Sequence, residues 1–252
     1  MTRTLLVDSD IAAFLFASTA QSSYDFGDSG VCKHVDDLEE VTKRVDAWLD
    51  ALMLRLKGDA LVVCLSVPSS ECFRLNVLPT YKSNRKDVVR PELLQAVKDH
   101  MATNYKSYIR DSLEADDCLG ILATHPTLIK GEKVIVSGDK DMETLPCLWF
   151  RPAKDSKPRR ITQERADYFH MFQTLTGDTV DGYKGCKGIG PVKATAILDR
   201  AEGNYWPHVV EAFESKGLTE EDALVQARVA RICRADDYDF SNKRVKLWTP
   251  TK

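Results

Sequence analysis

The amino-acid sequence predicts an α/β fold with a mainly parallel central sheet flanked by helices, followed by a helical C-terminal part. Two observations carry this prediction. Three short apolar runs alternate with segments of helical periodicity in the first part of the chain. From about Thr162 onward, helical segments follow one another without strand-like runs. A chain of 252 residues that is 43% hydrophobic can bury a core without disulfide bonds or structural metal ions.

The predicted strands are residues 4–7, 61–65 and 133–136. Short, continuous apolar runs are typical of strands that are buried on both faces of a parallel sheet. Between the first two strands, one apolar stripe of a predicted helix consists of Leu38, Val41, Val45, Leu49, Leu52 and Leu56. Gly58 follows shortly afterwards, and glycine commonly ends a helix. We expect this helix to cover one face of the sheet.

Three helices are predicted in the C-terminal part, at residues 163–175, 191–198 and 219–233. Thr219 and Asp222 have the spacing of a capping box at the start of the last one. A charged stretch with two prolines, residues 151–160, precedes these helices. We therefore predict an α/β domain over residues 1–160 and a helical domain over residues 161–252.

Acidic residues cluster at the ends of the predicted elements. Asp8 and Asp10 follow the first strand, and Asp139 and Asp141 follow the third. Two further clusters open or close predicted helices, and they consist of Glu114, Asp116 and Asp117, and of Asp178 and Asp181. Because ligands of open α/β sheets bind outside the carboxyl ends of the strands, we expect these nine acids to converge there.

The number of acids favours a divalent metal centre. General acid–base catalysis needs only two carboxylates, whereas Mg²⁺ and Mn²⁺ are bound through oxygen ligands. Two carboxylates about 4 Å apart repel each other by about 4 kcal/mol at an effective dielectric constant near 20, so converging acids need cations. Each cluster taken singly also fits an ordinary strand end or helix cap. Their joint occurrence is what predicts the metal centre.

The charge balance fits an acidic site on a basic molecule. The chain has 35 basic and 38 acidic residues, which gives a net charge of −3. Without the nine clustered acids, the remainder of the chain carries +6. This distribution is expected of an enzyme that binds a polyanion and cleaves it with metal ions.

Two segments have the composition of nucleic-acid contacts. Residues 73–86 are basic and place Tyr81 beside Lys82, with Arg85 and Lys86 close behind. A tyrosine can stack on a base while a lysine meets a phosphate, although a solvated run of charges would look similar.

The second segment, residues 185–194, is rich in glycine and fits a helix-hairpin-helix turn. Gly188 and Gly190 allow a close backbone approach, and Pro191 suits a first helical turn. The backbone amides at such a helix start can hold a phosphate. The lysines around the turn are Lys184, Lys187 and Lys193. An ordinary turn between two helices is the alternative.

The sequence contains no motif for covalent catalysis. Its seven cysteines are scattered without a C-x-x-C pair, and its five histidines are isolated. No apolar run approaches the roughly 20 residues of a membrane-spanning helix, and Asp8 comes too early for a signal peptide. We therefore predict a soluble intracellular protein with reduced cysteines.

The order of the motifs resembles the bacteriophage 5′→3′ exonuclease and flap endonuclease family, in particular the podovirus-type exonucleases. The motifs are Val7-Asp8, Phe73-Arg74 with Leu-Pro-Thr-Tyr-Lys-Ser-Asn-Arg ending at Arg85, Glu114-Ala-Asp-Asp117, Gly138-Asp-Lys-Asp141, Gly177-Asp-Thr-Val-Asp-Gly182 and Gly188-Ile-Gly190. The closing stretch from Thr219 to Pro250 adds to the likeness, which spans nearly the whole chain.

The resemblance implies a nuclease core with two metal ions, a helical arch over the active site and a helix-hairpin-helix that binds duplex DNA. The ions would be Mg²⁺, with Mn²⁺ as a substitute. The implied ligands are Asp8, Glu114, Asp116 and Asp117 for the first ion, and Asp139, Asp141, Asp178 and Asp181 for the second, some through water. Tyr81, Lys82 and Arg85 would lie in or beside the arch, where Lys82 would neutralise charge on the scissile phosphate.

The expected activity is hydrolysis of DNA, and of RNA in RNA–DNA hybrids, from 5′ ends or flaps during phage replication or recombination. The expected partners are double-stranded DNA with 5′ ends or flaps, RNA–DNA hybrid and a single-strand-binding protein. We expect a monomer without membrane contact, in the cytoplasm of an infected bacterium if the chain is encoded by a phage. One departure weakens the expectation: Ser66-Val67 follows the second strand, where the family usually has an Asp. The alternatives are a DNA-binding protein with weakened catalysis, and a ribonuclease on a related nuclease domain.

Overall fold

A computed structural model of the protein describes residues 2–25, 31–86 and 88–250. The strands in these ranges are β1 (Arg3–Asp8), β2 (Gln21–Asp25), β3 (Val31–Val35), β4 (Ala60–Cys64), β5 (Ser107–Tyr108), β6 (Glu132–Val136), β7 (Leu148–Phe150), β8 (Arg159–Arg160), β9 (Tyr238–Asp239) and β10 (Arg244–Val245). The α-helices are α1 (Ser9–Thr19), α2 (Leu38–Leu56), α3 (Arg74–Val77), α4 (Leu94–Asn104), α5 (Ala115–Thr124), α6 (Gln163–Thr176), α7 (Pro191–Asp199), α8 (Tyr205–Glu214) and α9 (Glu220–Ala230).

The central sheet has the strand order β5-β4-β1-β6-β7-β8. All its neighbouring strands are parallel except β7 and β8. In the centre, Val7 of β1 pairs with Val63 of β4 on one side and with Val136 of β6 on the other. The three predicted strands are these three central strands, and the predicted fold class is confirmed.

Helices cover both faces of the sheet. On one face, Leu5 and Val7 pack in a buried cluster with residues of α1, α2 and α4. The predicted apolar stripe of α2 is confirmed by the burial of Val41, Val45, Leu49, Leu52 and Leu56. On the other face, Leu6 packs with Leu119 and Ile121 of α5. Because both faces are buried, only the ends of the strands can present polar groups to a ligand.

The predicted C-terminal helices are present as α6, α7 and α9. The capping box of α9 is also confirmed: Asp222 N–H donates to Thr219 Oγ1 at 3.2 Å, and Thr219 N–H donates to Asp222 Oδ2 at 2.7 Å. Helix α9 ends at Ala230, three residues before the predicted end. Three α-helices of more than two turns were not predicted: α1, α4 and α8.

The buried core extends across the predicted domain boundary. Ile161, Ile232 and Tyr238 belong to the same buried cluster as Leu6 and Leu119 of the sheet layer. Helix α5 lies so close to the C-terminal part that a Cβ at Gly120 would stand 2.3 Å from the Cys233 carbonyl oxygen. The division at residue 160 therefore stays a prediction, and the two parts share one core.

The segment between α3 and α4 differs from the helical arch that the resemblance implies. Its described residues form one short 3₁₀ turn, Ser83–Arg85, and otherwise turns and irregular chain, while Asp87 lies outside the described residues. Pro79 and Pro91 limit any helix here, and the basic residues between them repel one another. Helix α4 packs on the core through Val97 and Met101.

No α-helix in residues 2–25, 31–86 and 88–250 is long and apolar enough to cross a membrane.

Candidate active site

The site lies at the carboxyl ends of β1 and β6. Asp8 is the last residue of β1 and caps α1, since its Oδ1 accepts a hydrogen bond from Ile11 N–H at 3.2 Å. Its Oδ2 accepts one from the Ser137 hydroxyl at 2.7 Å, directly after β6. The same hydroxyl oxygen accepts from Asp139 N–H at 3.0 Å. Ser137 thus holds Asp8 and Asp139 next to each other.

Asp116 joins these two acids from the first turn of α5. The charges of both Asp8 and Asp139 act on it, and burial together with these charges raises the pKa of Asp116 well above its ordinary value. Among the described residues, no protein donor is hydrogen-bonded to the Asp116 carboxylate. The sequence prediction that Asp8, Asp116 and Asp139 meet at one place agrees with this geometry.

The negative charge at this place is largely unbalanced. Burial, reinforced by the charges of Asp10 and Asp139, raises the pKa of Asp8 to about 7. Burial and the charge of Asp139 likewise raise the pKa of Asp141 to about 6, although Lys140 opposes this. Burial beside other carboxylates raises these pKa values and a bound cation would lower them, so this cluster can accept cations.

Asp10 lies at the side of the cluster, on the first turn of α1 rather than on an extended segment. Its Oδ1 is 2.7 Å from Lys98 Nζ of α4 and accepts a hydrogen bond from Ser66 N–H at 3.4 Å. The Ser66 hydroxyl accepts from Ala115 N–H at 2.8 Å. Ser66 therefore links the end of β4 to α1 and α5, directly before Val67, which stands where the family usually has an Asp. Lys98 was not predicted.

The second group of acids is built on turns. Asp139 Oδ1 accepts from Asp141 N–H at 2.8 Å at the start of the 3₁₀ helix Lys140–Thr144. Gln173 Nε2 of α6 donates to Asp141 Oδ1 at 2.7 Å. Asp178 Oδ1 accepts from Val180 N–H at 2.7 Å and from Asp181 N–H at 3.2 Å. These bonds fix the carboxylates on the wall formed by α6 and the loop after it.

Lys140 bridges this second group. Its Nζ lies 2.5 Å from Asp178 Oδ2 and 3.1 Å from Asp141 Oδ1. Lys140 was predicted only as part of a motif, without a role of its own. Its spacing within Gly138-Asp-Lys-Asp141 was the available signal.

Glu114 has its charge balanced by the protein. Its Oε1 is 2.6 Å from Lys82 Nζ, and its Oε2 accepts from Tyr81 Oη at 2.9 Å and from Arg74 Nη1 at 3.0 Å. Burial alone would raise the pKa of Glu114, but the charges of Lys82 and Arg74 outweigh burial and lower it to about 2. Glu114 is therefore ionised at neutral pH without a metal ion.

Asp117 is placed differently from the metal ligand that the resemblance implies. It is fully buried, and both its oxygens bind Arg74, at 2.7 and 2.8 Å. Oδ1 also accepts from Cys233 N–H at 2.9 Å, and Oδ2 accepts from Glu114 N–H at 3.1 Å. With its lone pairs used in this way, Asp117 serves as the counterion of Arg74. The metal ligand that the resemblance implies at this position stays a prediction, and these hydrogen bonds speak against it.

Arg74 was missed as a functional residue. Its guanidinium is 3% exposed and donates to the carbonyl oxygens of Val229 and Arg231 as well as to Glu114 and Asp117. It thereby holds Glu114 in place and ties α3 to α9. The signal in the sequence was the Phe73-Arg74 pair that opens the basic motif.

Tyr81, Lys82 and Arg85 lie against the loop of residues 178–182. Lys82 N–H donates to the Asp181 carbonyl at 2.8 Å, and Lys82 has φ 52°, a left-handed conformation that is unfavourable for lysine. Arg85 Nη2 is 2.6 Å from Asp181 Oδ1. Tyr81 is buried, and its hydroxyl donates to Glu114 and Asp181. The ring of Tyr81 is therefore not free to stack on a base, and that reading is corrected.

One pocket joins the two groups of acids. Its wall includes Arg74, Tyr81, Glu114, Asp116, Asp141 and Asp181. Within the part of the chain that the structure describes, no three His, Cys, Asp or Glu side chains form a ready-made metal-ligand set. The donor set still fits Mg²⁺, which keeps several waters and needs only one or two carboxylates per ion. The unbalanced acids Asp8 and Asp116 are the residues that such an ion would neutralise.

The glycine-rich turn between α6 and α7 is exposed at its tip and anchored at its base. Cys186 N–H donates to the Leu175 carbonyl at 2.8 Å, and Ile189 is buried. Gly188 has φ +74°, and Gly190 caps α7, which begins with Pro191. Lys184, Lys187 and Lys193 are exposed around the turn, and Lys86 is exposed on the segment before α4.

Comparison with known proteins relates this chain to nucleases. Residues 36–154 match the family model described as 5′-3′ exonuclease, N-terminal resolvase-like domain. The exonuclease of Escherichia phage T7 is 28% identical, with 98% of this chain and 93% of the phage protein covered.

Solved structures show the same fold at lower identity. A protein of bacteriophage T5 crystallised with metal ions superimposes with a TM-score of 0.67 and 16% identity, covering 90% of this chain and 89% of the other. The T5 flap endonuclease in a complex with DNA and metal ions gives a TM-score of 0.64 and 16% identity, covering 90% and 88%.

Proposed function

We propose that the chain is a member of the bacteriophage 5′→3′ exonuclease and flap endonuclease family, and that it hydrolyses phosphodiester bonds of DNA from 5′ ends or 5′ flaps. The observation that carries the proposal is the convergence of Asp8, Asp116 and Asp139 at one edge of the sheet, with charges that no protein cation fully balances.

Asp8, Asp116, Asp139 and Asp141 are the proposed metal ligands. Glu114 and Asp181 act through water, because protein cations already bind their oxygens, and Asp178 can join Asp141 in holding an ion. Asp117 is left out of the ligand set, since it balances Arg74. Two bound Mg²⁺ ions, or Mn²⁺ in their place, would supply an activated water and stabilise charge on the scissile phosphate.

Lys82 is the proposed phosphate contact of the protein itself. Its left-handed backbone and the hydrogen bond to Asp181 hold the side chain against Glu114 of the pocket wall, where the lysine is partly exposed. From there its ammonium can neutralise a non-bridging oxygen of the phosphate. Arg85 is more exposed than Lys82 and is paired with Asp181. It is proposed to contact the DNA strand at the edge of the pocket. Arg74 and Tyr81 position Glu114 and stay inside the protein.

The turn between α6 and α7 is the proposed contact for the duplex, as a helix-hairpin-helix. Exposed backbone at Gly188 and Gly190, together with Lys184, Lys187 and Lys193, suits a phosphate backbone that is bound without sequence preference. Lys86, exposed directly after Arg85, is a further proposed DNA contact. RNA–DNA hybrid is a second proposed substrate. The monomeric state, the cytoplasmic location and recruitment by a single-strand-binding protein stay predictions.

The test uses DNA duplexes labelled at the 5′ or the 3′ end, incubated with the purified protein in Mg²⁺ or in EDTA. We expect release of the 5′ label as mononucleotides or short oligonucleotides in Mg²⁺ and no release in EDTA. Asp116→Asn is the matched inactive control. If duplex DNA is bound but never cleaved with any divalent ion, the alternative of a DNA-binding protein replaces this proposal.

A ribonuclease is the other alternative, and the same assay addresses it. Rates on duplex DNA, RNA–DNA hybrid and duplex RNA of one sequence are compared at equal concentration. The proposal predicts cleavage of duplex DNA and of the hybrid. Cleavage restricted to RNA strands would favour the ribonuclease.

A further inference from the structure

Lys140 stands in a place that a divalent cation also requires. Its ammonium is the cation that bridges Asp178 Oδ2, at 2.5 Å, and Asp141 Oδ1, at 3.1 Å. The two acids come from different segments, one from the 3₁₀ helix after β6 and one from the loop after α6. The Lys140 ammonium therefore lies between the carboxylates of Asp141 and Asp178.

We propose that Lys140 is a built-in counterion of the second acidic group, which a divalent ion must displace before it binds there. The proposal rests on the proposed function, because it assigns Asp141 and Asp178 to a metal centre. The lysine of the motif Gly138-Asp-Lys-Asp141 then has a role that differs from that of the two acids beside it.

The surroundings of Lys140 allow it to leave. Its side chain is 63% exposed, and its segment is a five-residue 3₁₀ helix at the surface. Lys82 contrasts with it: the Lys82 side chain is 18% exposed and its backbone is bound to Asp181. An ammonium on a flexible stem that is mostly in water loses little when it exchanges its carboxylates for solvent.

The acids are fixed without Lys140. Asp178 Oδ1 accepts two backbone N–H groups, and Asp141 Oδ1 accepts Gln173 Nε2. Asp178 Oδ2 binds the ammonium alone among its described partners. Displacement of Lys140 thus frees Asp178 Oδ2 and Asp141 Oδ1, which already lie around the position of the ammonium. A divalent ion carries twice the charge of the ammonium and can replace it.

The consequence is a difference in affinity between the two acidic groups. Among the described residues, no lysine or arginine forms an ion pair with Asp8 or Asp116, so the first ion binds there without displacing a protein cation. The group around Asp141 and Asp178 binds an ion only against Lys140. The free protein should therefore bind divalent ions in a tight class and a weak class.

The experiment is a Mn²⁺ titration of the DNA-free protein, followed by electron paramagnetic resonance of unbound Mn²⁺. For Lys140→Met we expect the weak class to tighten about fivefold or more, which corresponds to the loss of about 1 kcal/mol of competing ion pairing. Lys140→Arg keeps a cation and should bind Mn²⁺ as the wild type does. Lys154→Met, an exposed lysine of residues 151–160, is the control for loss of one positive charge elsewhere.

The double variant Lys140→Met with Asp178→Asn locates the effect. If Lys140 competes at Asp178, the gain in Mn²⁺ affinity disappears when that carboxylate is removed. An unchanged weak class in Lys140→Met, fewer bound ions in that variant, equal tightening in Lys154→Met, or no Mn²⁺ binding by any variant would each overturn the proposal. Cleavage of labelled duplex by the wild type is measured separately, so failure of the proposed function is distinguishable from failure of this inference.

Discussion

At the scale of single residues, the acids of the site fall into two kinds. Glu114, Asp117 and Asp181 are bound to lysine or arginine side chains. Asp8 and Asp116 are buried with other carboxylates, and their pKa values are raised for that reason. Acids of the first kind stabilise the folded chain in the absence of metal ions. Acids of the second kind destabilise the folded chain until a divalent cation binds. Adjacent positions in one helix can therefore respond in opposite ways to the same substitution.

Asp116→Asn and Asp117→Asn form a matched pair of tests. Asp117→Asn leaves the buried Arg74 without its main counterion, so we expect the free energy of unfolding to fall by about 3 kcal/mol or more. Asp116→Asn relieves repulsion, so we expect unchanged or higher stability in EDTA together with loss of cleavage. Urea unfolding followed by circular dichroism, and the labelled-duplex assay, measure the two effects.

Either result can go against this assignment. Full cleavage by Asp116→Asn would remove Asp116 from the metal ligands. A stable, inactive Asp117→Asn variant would return Asp117 to them.

Asp8 makes the stability of the metal-free protein depend on pH. Because its pKa is raised from 3.8 to about 7, the folded state holds this proton more tightly than the unfolded state. Its contribution to stability is complete below the unfolded pKa and is lost as the pH rises through the folded pKa. We expect the free energy of unfolding in EDTA to fall between pH 5 and pH 8, and Asp8→Asn to remove about 1–3 kcal/mol of that fall.

The measurement is urea unfolding across that pH range, with and without Mg²⁺. Mg²⁺ should restore the stability of the wild type at pH 8, and it should restore less in Asp8→Asn. If Asp8→Asn shows the same pH dependence as the wild type, Asp8 is not the group that titrates.

At the scale of elements, the turn between α6 and α7 presents exposed lysines on an anchored backbone. Lys193 lies in the first turns of α7, and its Nζ donates to the Gly188 carbonyl at 3.1 Å. The buried Ile189 and the hydrogen bond from Cys186 to Leu175 hold the base of the turn independently of this contact. Removing the lysine should therefore change binding while the fold remains.

Lys193→Ala is expected to weaken duplex binding equally for all sequences. If Lys193 contacts one phosphate, the slope of log K against log salt concentration should decrease by about one unit. Fluorescence anisotropy in Ca²⁺ or EDTA at several salt concentrations measures it. Lys154→Ala is the control and should leave the slope unchanged. An unchanged slope in Lys193→Ala would place the phosphate contact elsewhere.

At the scale of the whole molecule, the N-terminal sheet and the C-terminal helices complete each other. Arg74 is satisfied by carbonyl oxygens of Val229 and Arg231, and Asp117 by Cys233 N–H, all from beyond residue 160. The same applies to the core, where Ile232 and Tyr238 pack in the cluster that contains Leu119. A division at residue 160 would leave a buried ion pair and an apolar face exposed.

We therefore expect the fragment of residues 1–160 not to fold cooperatively by itself. Without the C-terminal part, Arg74 and Asp117 lose buried hydrogen-bond partners, which costs about 1–3 kcal/mol for each group left unsatisfied. Near-ultraviolet circular dichroism and urea unfolding of the purified fragment measure this, with the full chain as the control. A cooperative transition in the fragment would support the predicted domain boundary.

The sequence predicted correctly those strands, helices and caps that a local pattern of residues specifies. The three central strands, α2 with its apolar stripe and the Thr219 capping box are all present. Helix α1 was missed because it is apolar around most of its surface and lacks a stripe. Helix α8 was missed because proline usually ends or kinks a helix. Pro207 lies in the first turn of α8, where proline is tolerated. The helical arch came from the resemblance, and the described residues of that segment form turns.

The sequence by itself determined where the acids after the strands converge, because acids that follow the strands of a parallel sheet are brought to one edge of it. It could not determine which acids are balanced by the protein. That depended on Arg74, Lys82 and Lys140 reaching carboxylates far away in the chain, as in the 43-residue separation of Arg74 and Asp117. Charge balance is a property of distances in space, and only the tertiary structure sets those distances.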